Sequence, residues 1–301
     1  MTVFNWCRRL VLSICVSAAL AGCASEGVQG DPVQVVLLGG QSNMVGAGNY
    51  DEIDEQTRAR IEAVSERVFY SLDPGPVRQL TYTPNKPSEK YQFTKRFGPE
   101  IMIGVTLAEA YPDEEFLLVK TAHGGTALYG AWNPDWSAEK AEEVENTKLK
   151  RTTPFYAKHI AHAKKALAYL KRSGKAHEIV GVAWMQGEND AAKEVSSRSY
   201  AANLKNLISS YRRDMEAPEM VFVAGQINSH YGRFAEGPEM VRGAMLEVEA
   251  QDKNVAIVRT RADAPWTGFP KHDDQVHYNT QGQLNLGTAL GEKLVALLNA
   301  Q

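Results

Sequence analysis

Val35-Val36-Leu37-Leu38-Gly39-Gly40-Gln41-Ser42-Asn43-Met44 is the stretch on which the reading of this chain turns. Four apolar residues in a row read as a strand buried on both faces. Two glycines then break the run and allow a sharp turn with close approach of another group. Ser42 follows at the carboxyl end of the strand, where open α/β sheets bind their ligands. Taken alone, the segment has two readings: a nucleophile on a turn, or a polar loop in which Ser42 or Asn43 caps the next element. Far along the chain, Asp274-Gln275-Val276-His277 offers an acid and a base.

Outward from this strand, apolar runs alternate with segments of helical spacing. Strands are predicted over Val33 to Leu38, Phe116 to Lys120, Ile179 to Met185, Met220 to Ile227 and Val255 to Val258. Helices are predicted over 99–111, 154–172, 200–211, 238–250 and 280–298, the second with Ala157, Ile160, Ala163, Leu167 and Leu170 on one face. Continuous apolar strands separated by helices imply a parallel sheet covered on both sides. The fold class is therefore α/β: a three-layer α/β/α sandwich around a central, mostly parallel, five-stranded sheet. Residues 51–67 read as a polar excursion and 70–95 as a long loop of the kind that forms site walls. The charge-dense run 138–151 reads as a solvated helix or insertion.

The N-terminus reads as a targeting segment. Arg8 and Arg9 precede an apolar region over 10–19 that is too short to span a bilayer stably. It ends in Leu20-Ala21-Gly22-Cys23, which resembles a bacterial lipoprotein signal. That likeness implies a signal peptide over 1–22, lipidation at Cys23, a tether over 23–31 and one domain over 32–301. A plain secretory signal cut nearby is the alternative. Lipid chains would hold the protein on an envelope membrane, the outer one in a Gram-negative cell, without a spanning helix. The three cysteines, Cys7, Cys15 and Cys23, all lie in or at the end of this segment. The remainder has no disulfide and no thiol chemistry. A formal net charge of -3 offers no basic face for nucleic acid.

Four segments carry unusual polar residues. They are 39–44, Thr121-Ala122-His123-Gly124-Gly125-Thr126, Trp184-Met185-Gln186-Gly187-Glu188-Asn189-Asp190, and Asp274-Gln275-Val276-His277. Loops after successive parallel strands converge on one sheet edge, so three of these meet there. The fourth joins them if the last helix starts at that edge.

In this order, the four segments resemble the blocks of the SGNH hydrolase superfamily. The likeness is closer to its sialate O-acetylesterase-like branch, which includes carbohydrate esterase family 6, and it covers essentially the whole chain after the leader. The resemblance implies Ser42 as nucleophile, His277 as general base and Asp274 as the acid that orients the imidazole. It implies an oxyanion hole from the N–H of Ser42, the N–H of Gly124 or Gly125, and the Gln186 amide, with Asn189 open for that last part. Glu188 is an alternative or supporting acid. His123 and Trp132, with Trp136 and Trp266, are candidates for sugar contact. Lys120 is expected to pair with a carboxylate, with Glu188 the candidate. Met44 stands where the α/β-hydrolase elbow has glycine. His272 and His277 beside Asp273 and Asp274 suggest metal ligands only superficially, because no His-x-x-x-His pair or cysteine accompanies them. No metal and no cofactor is expected.

The expected activity is hydrolysis of O-acetyl esters of carbohydrates through an acyl-enzyme, with the acetylated sugar and the membrane as partners. The alternatives are an esterase or thioesterase for non-sugar acyl groups and a non-catalytic carbohydrate-binding surface lipoprotein.

Overall fold

The computed structural model describes residues 1, 31–260 and 268–301. All but the first residue of the leader expected over 1–22, together with Cys23 and most of the tether, lie outside the described residues, as do Asp263 and Trp266. Among the described residues no helix is long and apolar enough to cross a membrane.

The strands are β1 (Val33–Gly40), β2 (Val68–Leu72), β3 (Arg78–Gln79), β4 (Phe116–Ala122), β5 (His177–Met185), β6 (Val221–Gly225) and β7 (Val255–Val258). They form one sheet in the order β7-β6-β5-β1-β4-β2-β3. Every pairing is parallel except β2 with β3. The principal helices are α1 (Glu100–Ala110), α2 (Phe155–Arg172), α3 (Tyr200–Asp214), α4 (Gly237–Gln251) and α5 (Thr280–Leu298).

Alternate residues of β1 point to opposite faces, as pleating requires. Val35 and Leu37 join the core beneath α2, α3 and α4, whereas Val36 and Leu38 join the core beneath α1 and α5. Both faces are covered, which is why β1 reads as an unbroken apolar run.

The sheet has seven strands rather than five. All five predicted strands are present, and β2 and β3 extend the sheet beyond β4. Val68-Phe69-Tyr70-Ser71-Leu72 is short, and the helix before it, Glu55–Ala63, buries only Ile61. No periodicity therefore marks the unit, and pairing against β4 selects it. The segment read as a long loop also contributes Thr83–Pro84 and Lys95–Phe97, which pair with each other and with Gly48–Asn49 in a small second sheet. In α2 the buried face is shifted: Ala157 is exposed and His159 and His162 are buried. Each of these histidines is satisfied within the core, the first by the Tyr211 hydroxyl at 2.7 Å and the second by Ser71 Oγ at 3.1 Å.

The run 138–151 is not merely a solvated face. It forms two short helices, Ala138–Val144 and Lys148–Thr152, and turns Glu145 inward between them. Glu145 Oε1 accepts from the N–H of Ala127 at 2.8 Å and of Ala131 at 3.2 Å. A buried carboxylate thus closes off backbone donors that would otherwise lack partners in the segment after β4.

Candidate active site

Strand register brings the first three blocks to one level. Gly40 at the end of β1 lies opposite Ala122 of β4 and Met185 of β5. The chain therefore leaves all three strands side by side, at the point where the strand order reverses about β1. Two backbone bonds hold the exits together: Gln41 N–H donates to Met185 O at 2.9 Å and His123 N–H to Gly40 O at 3.1 Å. Gly40 has a φ of 148°, and a Cβ there would stand 2.1 Å from Met185 O. Only glycine fits both the conformation and the approach of β5.

Ser42 opens a one-turn helix, Ser42–Val45, and remains partly exposed. Gly124 lies against it, so close that a Cβ on Gly124 would be 3.5 Å from Ser42 Cβ. Gly125, with a φ of 65°, is turned toward the ammonium of Lys150 instead. The N–H groups of Ser42 and Gly124 are not taken up by any described protein acceptor. The far end of the one-turn helix is held by Lys120, whose Nζ donates to Val45 O at 3.2 Å. The same ammonium pairs with Glu100 at 2.6 Å, both side chains being fully buried. Lys120 thus pairs with α1, not with Glu188. Burial lowers the Lys120 pKa, with Glu100 opposing.

The fourth block is delivered by the start of α5. Asn279 caps that helix by accepting from Gly282 N–H at 3.0 Å. A bridge between Lys271 and Tyr278 and a bond from His272 N–H to His277 O at 2.8 Å close 272–277 into a tight loop. Within it Asp274 Oδ1 accepts from the N–H of Val276 and of His277, each at 2.9 Å. Asp274 Oδ2 lies 2.7 Å from His277 Nδ1. Burial raises the Asp274 pKa, but these donors and Lys90 outweigh it and hold the carboxyl well below its ordinary range. Burial lowers the His277 pKa and Lys90 and Arg96 add to the effect, while Asp274 opposes; the net direction is down.

Asn43 ties this loop to the serine, a connection that reading Asn43 as a cap of the next element misses. Its Nδ2 donates to Val276 O at 3.1 Å and its Oδ1 accepts from Tyr278 N–H at 3.1 Å. The residue after Ser42 therefore grips both neighbours of His277. The second Nδ2 proton goes to Glu188 Oε1 at 2.8 Å. Replacing Asn43 by alanine leaves a buried carboxylate oxygen and two backbone groups without partners. Unsatisfied buried groups cost about 1–3 kcal/mol each and do not add fully. A stability loss of about 3 kcal/mol is expected in denaturant unfolding, with a fall in turnover of roughly tenfold or more. A midpoint equal to the wild type would contradict this placement.

Block three is largely internal. Gln186 is completely buried, and its Nε2 donates to Asp190 Oδ2 at 2.5 Å and to Thr126 O at 2.9 Å. Its carboxamide protons are therefore committed, which removes Gln186 from the expected oxyanion hole. Asp190 also accepts from Leu128 and Tyr129 N–H at 2.8 and 3.0 Å. The Gln186–Asp190 pair thus moulds the segment after β4. Burial raises the Asp190 pKa to about 7 against these bonds.

Glu188 is buried and touches Asn43, whereas Asp274 is the carboxylate on the imidazole. Glu188 supports the loop from behind through Asn43 and forms no hydrogen bond with the imidazole. Burial raises its pKa, with its own N–H, Asn43 and Lys271 opposing. Trp132 is completely buried, donates to Thr126 Oγ1 at 3.0 Å and packs edge-on against Trp184. It buttresses block two and presents no face to a sugar. His123 is partly exposed beside Gly124 and stacks on Phe155 at 5.0 Å. Burial, then Lys150 and Lys158, lower its pKa and keep it neutral near pH 7. His272 Nε2 is engaged by Ala47 O at 2.9 Å.

Residues 32–296 match the sequence profile of a family described as carbohydrate esterase, sialic acid-specific acetylesterase. A probable carbohydrate esterase of Arabidopsis thaliana is 27% identical over 286 residues, covering 87% of this chain and 90% of that protein. Its crystal structure superposes with a TM-score of 0.62 over 88% of this chain and 99% of the other, at 21% identity. The structure of NanS gives 0.61 at 16% identity, covering 91% of this chain and all of the other, 100%. A carbohydrate acetylesterase of Xanthomonas citri gives 0.58 at 14% identity, over 89% of this chain and 57% of that one. At these identities the superpositions carry the fold, and the profile match over nearly the whole described chain carries the family. The chain is a carboxylic ester hydrolase that belongs to the carbohydrate esterase, sialic acid-specific acetylesterase family.

Proposed function

We propose that the protein removes acetyl groups from carbohydrate hydroxyls by a serine mechanism with Ser42, His277 and Asp274. The observation that supports the reading is the Asn43 bridge: the residue after Ser42 bonds both neighbours of His277, which itself meets Asp274. A proton on Nδ1 facing Asp274 leaves Nε2 with its lone pair for the Ser42 hydroxyl. Ser42 Oγ attacks the acetyl carbonyl as His277 takes its proton. The oxyanion is received by the N–H groups of Ser42 and Gly124, each such donor supplying about 3–4 kcal/mol in comparable sites. His277 then protonates the departing sugar oxygen, and water activated by the same imidazole releases acetate. The base must be neutral, so activity rises with pH as His277 loses its proton, and burial places that rise below the ordinary histidine value.

The test is acetate release from a panel of O-acetylated glycans, run beside an aryl ester series of increasing acyl length. Preference for acetate on sugar supports the reading; preference for longer acyl chains, or glycan binding without acetate release, overturns it. As part of the same reading, Arg8, Arg9, the apolar run and Leu20-Ala21-Gly22-Cys23 support export and lipid anchoring at Cys23 to an envelope membrane. Labelled fatty acid carried by the wild type and absent from Cys23→Ser is the expected result.

A further inference from the structure

The hairpin built on Thr83–Pro84 and Lys95–Phe97 reaches across to the catalytic loop. Asn85 ties its base, the N–H donating to Thr94 O and Nδ2 to Phe93 O, each at 2.7 Å. At its tip Ser88 N–H donates to Tyr91 O at 2.9 Å and Tyr91 N–H to Ser88 Oγ at 3.1 Å. A tip closed in this way presents two side chains in fixed directions. The Tyr91 ring packs on His272 at 5.4 Å, and Lys90 Nζ reaches Asp274 Oδ2 at 2.5 Å. That oxygen is the one that receives His277 Nδ1, and the ammonium stands 3.1 Å from Nδ1. An ammonium has no lone pair to offer the imidazole, so the two groups are rival donors to one carboxylate oxygen.

We propose that Lys90 is a positioning residue for the His277 base, holding Asp274 Oδ2 jointly with the Nδ1 proton and setting the pH at which the base becomes competent. The inference rests on the reading of His277 as general base. With four donors on Asp274, the carboxylate has one orientation available. The adjacent positive charge disfavours the imidazolium, so His277 is free to act at a lower pH than Asp274 alone would permit. The charged groups facing His277 are Asp274 on its own loop and Lys90 and Arg96 on the hairpin. Lys271 faces Asp274 and Glu188 from the other side of the loop. Arg96 acts on the imidazole in the same direction as Lys90, but it is half-buried, bonded to Gly46 O and stacked on Tyr91. It stays in place when Lys90 is changed. The Lys90 side chain is 47% exposed, so substitution there leaves the core untouched.

The experiment is the pH profile of kcat/KM on a neutral aryl acetate for the full-length wild type, Lys90→Met, Lys90→Arg and His277→Gln. A neutral substrate removes any role of Lys90 in binding charge. The acid limb of Lys90→Met is expected to move up by roughly half a unit to one unit. That shift is a loss of about three- to tenfold on the acid side, with the alkaline plateau within about threefold. Lys90→Arg keeps the wild-type midpoint. Salt at about 0.5 M moves the wild type toward Lys90→Met and shifts the variant less, because only Asp274 and Arg96 then face the imidazole. Coincident limbs in the wild type and Lys90→Met overturn the proposal, and so does a uniform loss at every pH, which marks a structural brace. If His277→Gln retains the wild-type limb, the underlying base assignment fails instead. Lys90→Arg and the salt titration keep the test decisive even if Lys90→Met folds poorly.

Discussion

Replacing Ser42 by alanine is expected to lower kcat by about 10⁴- to 10⁶-fold while the protein folds as before. Loss of a nucleophile in a serine–histidine–acid site removes the covalent route altogether, and what remains comes from binding and the oxyanion donors. The structural cost is small for a specific reason. The Ser42 hydroxyl forms no hydrogen bond with a described residue, and the one-turn helix it opens is held by Lys120 and by the Gly46 N–H on Ser42 O at 2.9 Å. No buried partner is left unsatisfied, so unfolding should stay within about 0.5 kcal/mol of wild type. Turnover on aryl acetate and acetylated glycan, read beside a thermal midpoint, decides the matter. Activity that survives in a folded Ser42→Ala protein removes the serine mechanism.

The second large effect separates the two candidate acids. Asp274→Asn should lower kcat near neutral pH by about 10²- to 10⁴-fold, because an amide in place of the carboxylate no longer enforces the Nδ1–H tautomer or steadies the imidazolium. The proposed mechanism gives Asp274 this role because both of its oxygens are engaged by the His277 loop and Lys90. Glu188→Gln should cost less than about tenfold in kcat, since a glutamine oxygen still accepts from Asn43. Steady-state kinetics on the two variants, with folding checked by circular dichroism, gives the ratio. A larger loss in Glu188→Gln would reverse the assignment.

The parallel sheet was legible because β1, β4, β6 and the second half of β5 are covered on both faces, which leaves mostly apolar runs in the sequence. β2 and β3 were not, since a five-residue strand and a two-residue strand beside a polar helix leave no periodic trace. Ser42, Asp274, His277 and the pair Gly124 and Gly125 were legible as candidates at block positions, and the short Asp-x-x-His spacing lets one loop hold Asp274 and His277 in contact. Gln186 and Trp132 were read as site groups because their chemistry suited the part. Their complete burial and internal hydrogen bonds assign them to the framework instead.

The sequence alone thus determined five strands of the sheet, its principal covering helices, the serine on the turn, and Asp274 and His277 as candidates for an acid–base pair. These depend on local patterns: apolar runs, helical spacing, glycine at a strand exit, and two residues three apart. Only the tertiary structure decided how the blocks meet. Asn43 joins positions 233 and 235 residues away, and Lys90 comes 187 residues along the chain to His277. Such contacts follow from strand register and from where α5 begins, and no local pattern encodes them. For the same reason the choice between Asp274 and Glu188 rested on geometry. Both are acids of the right type, and only one has its oxygen on the imidazole.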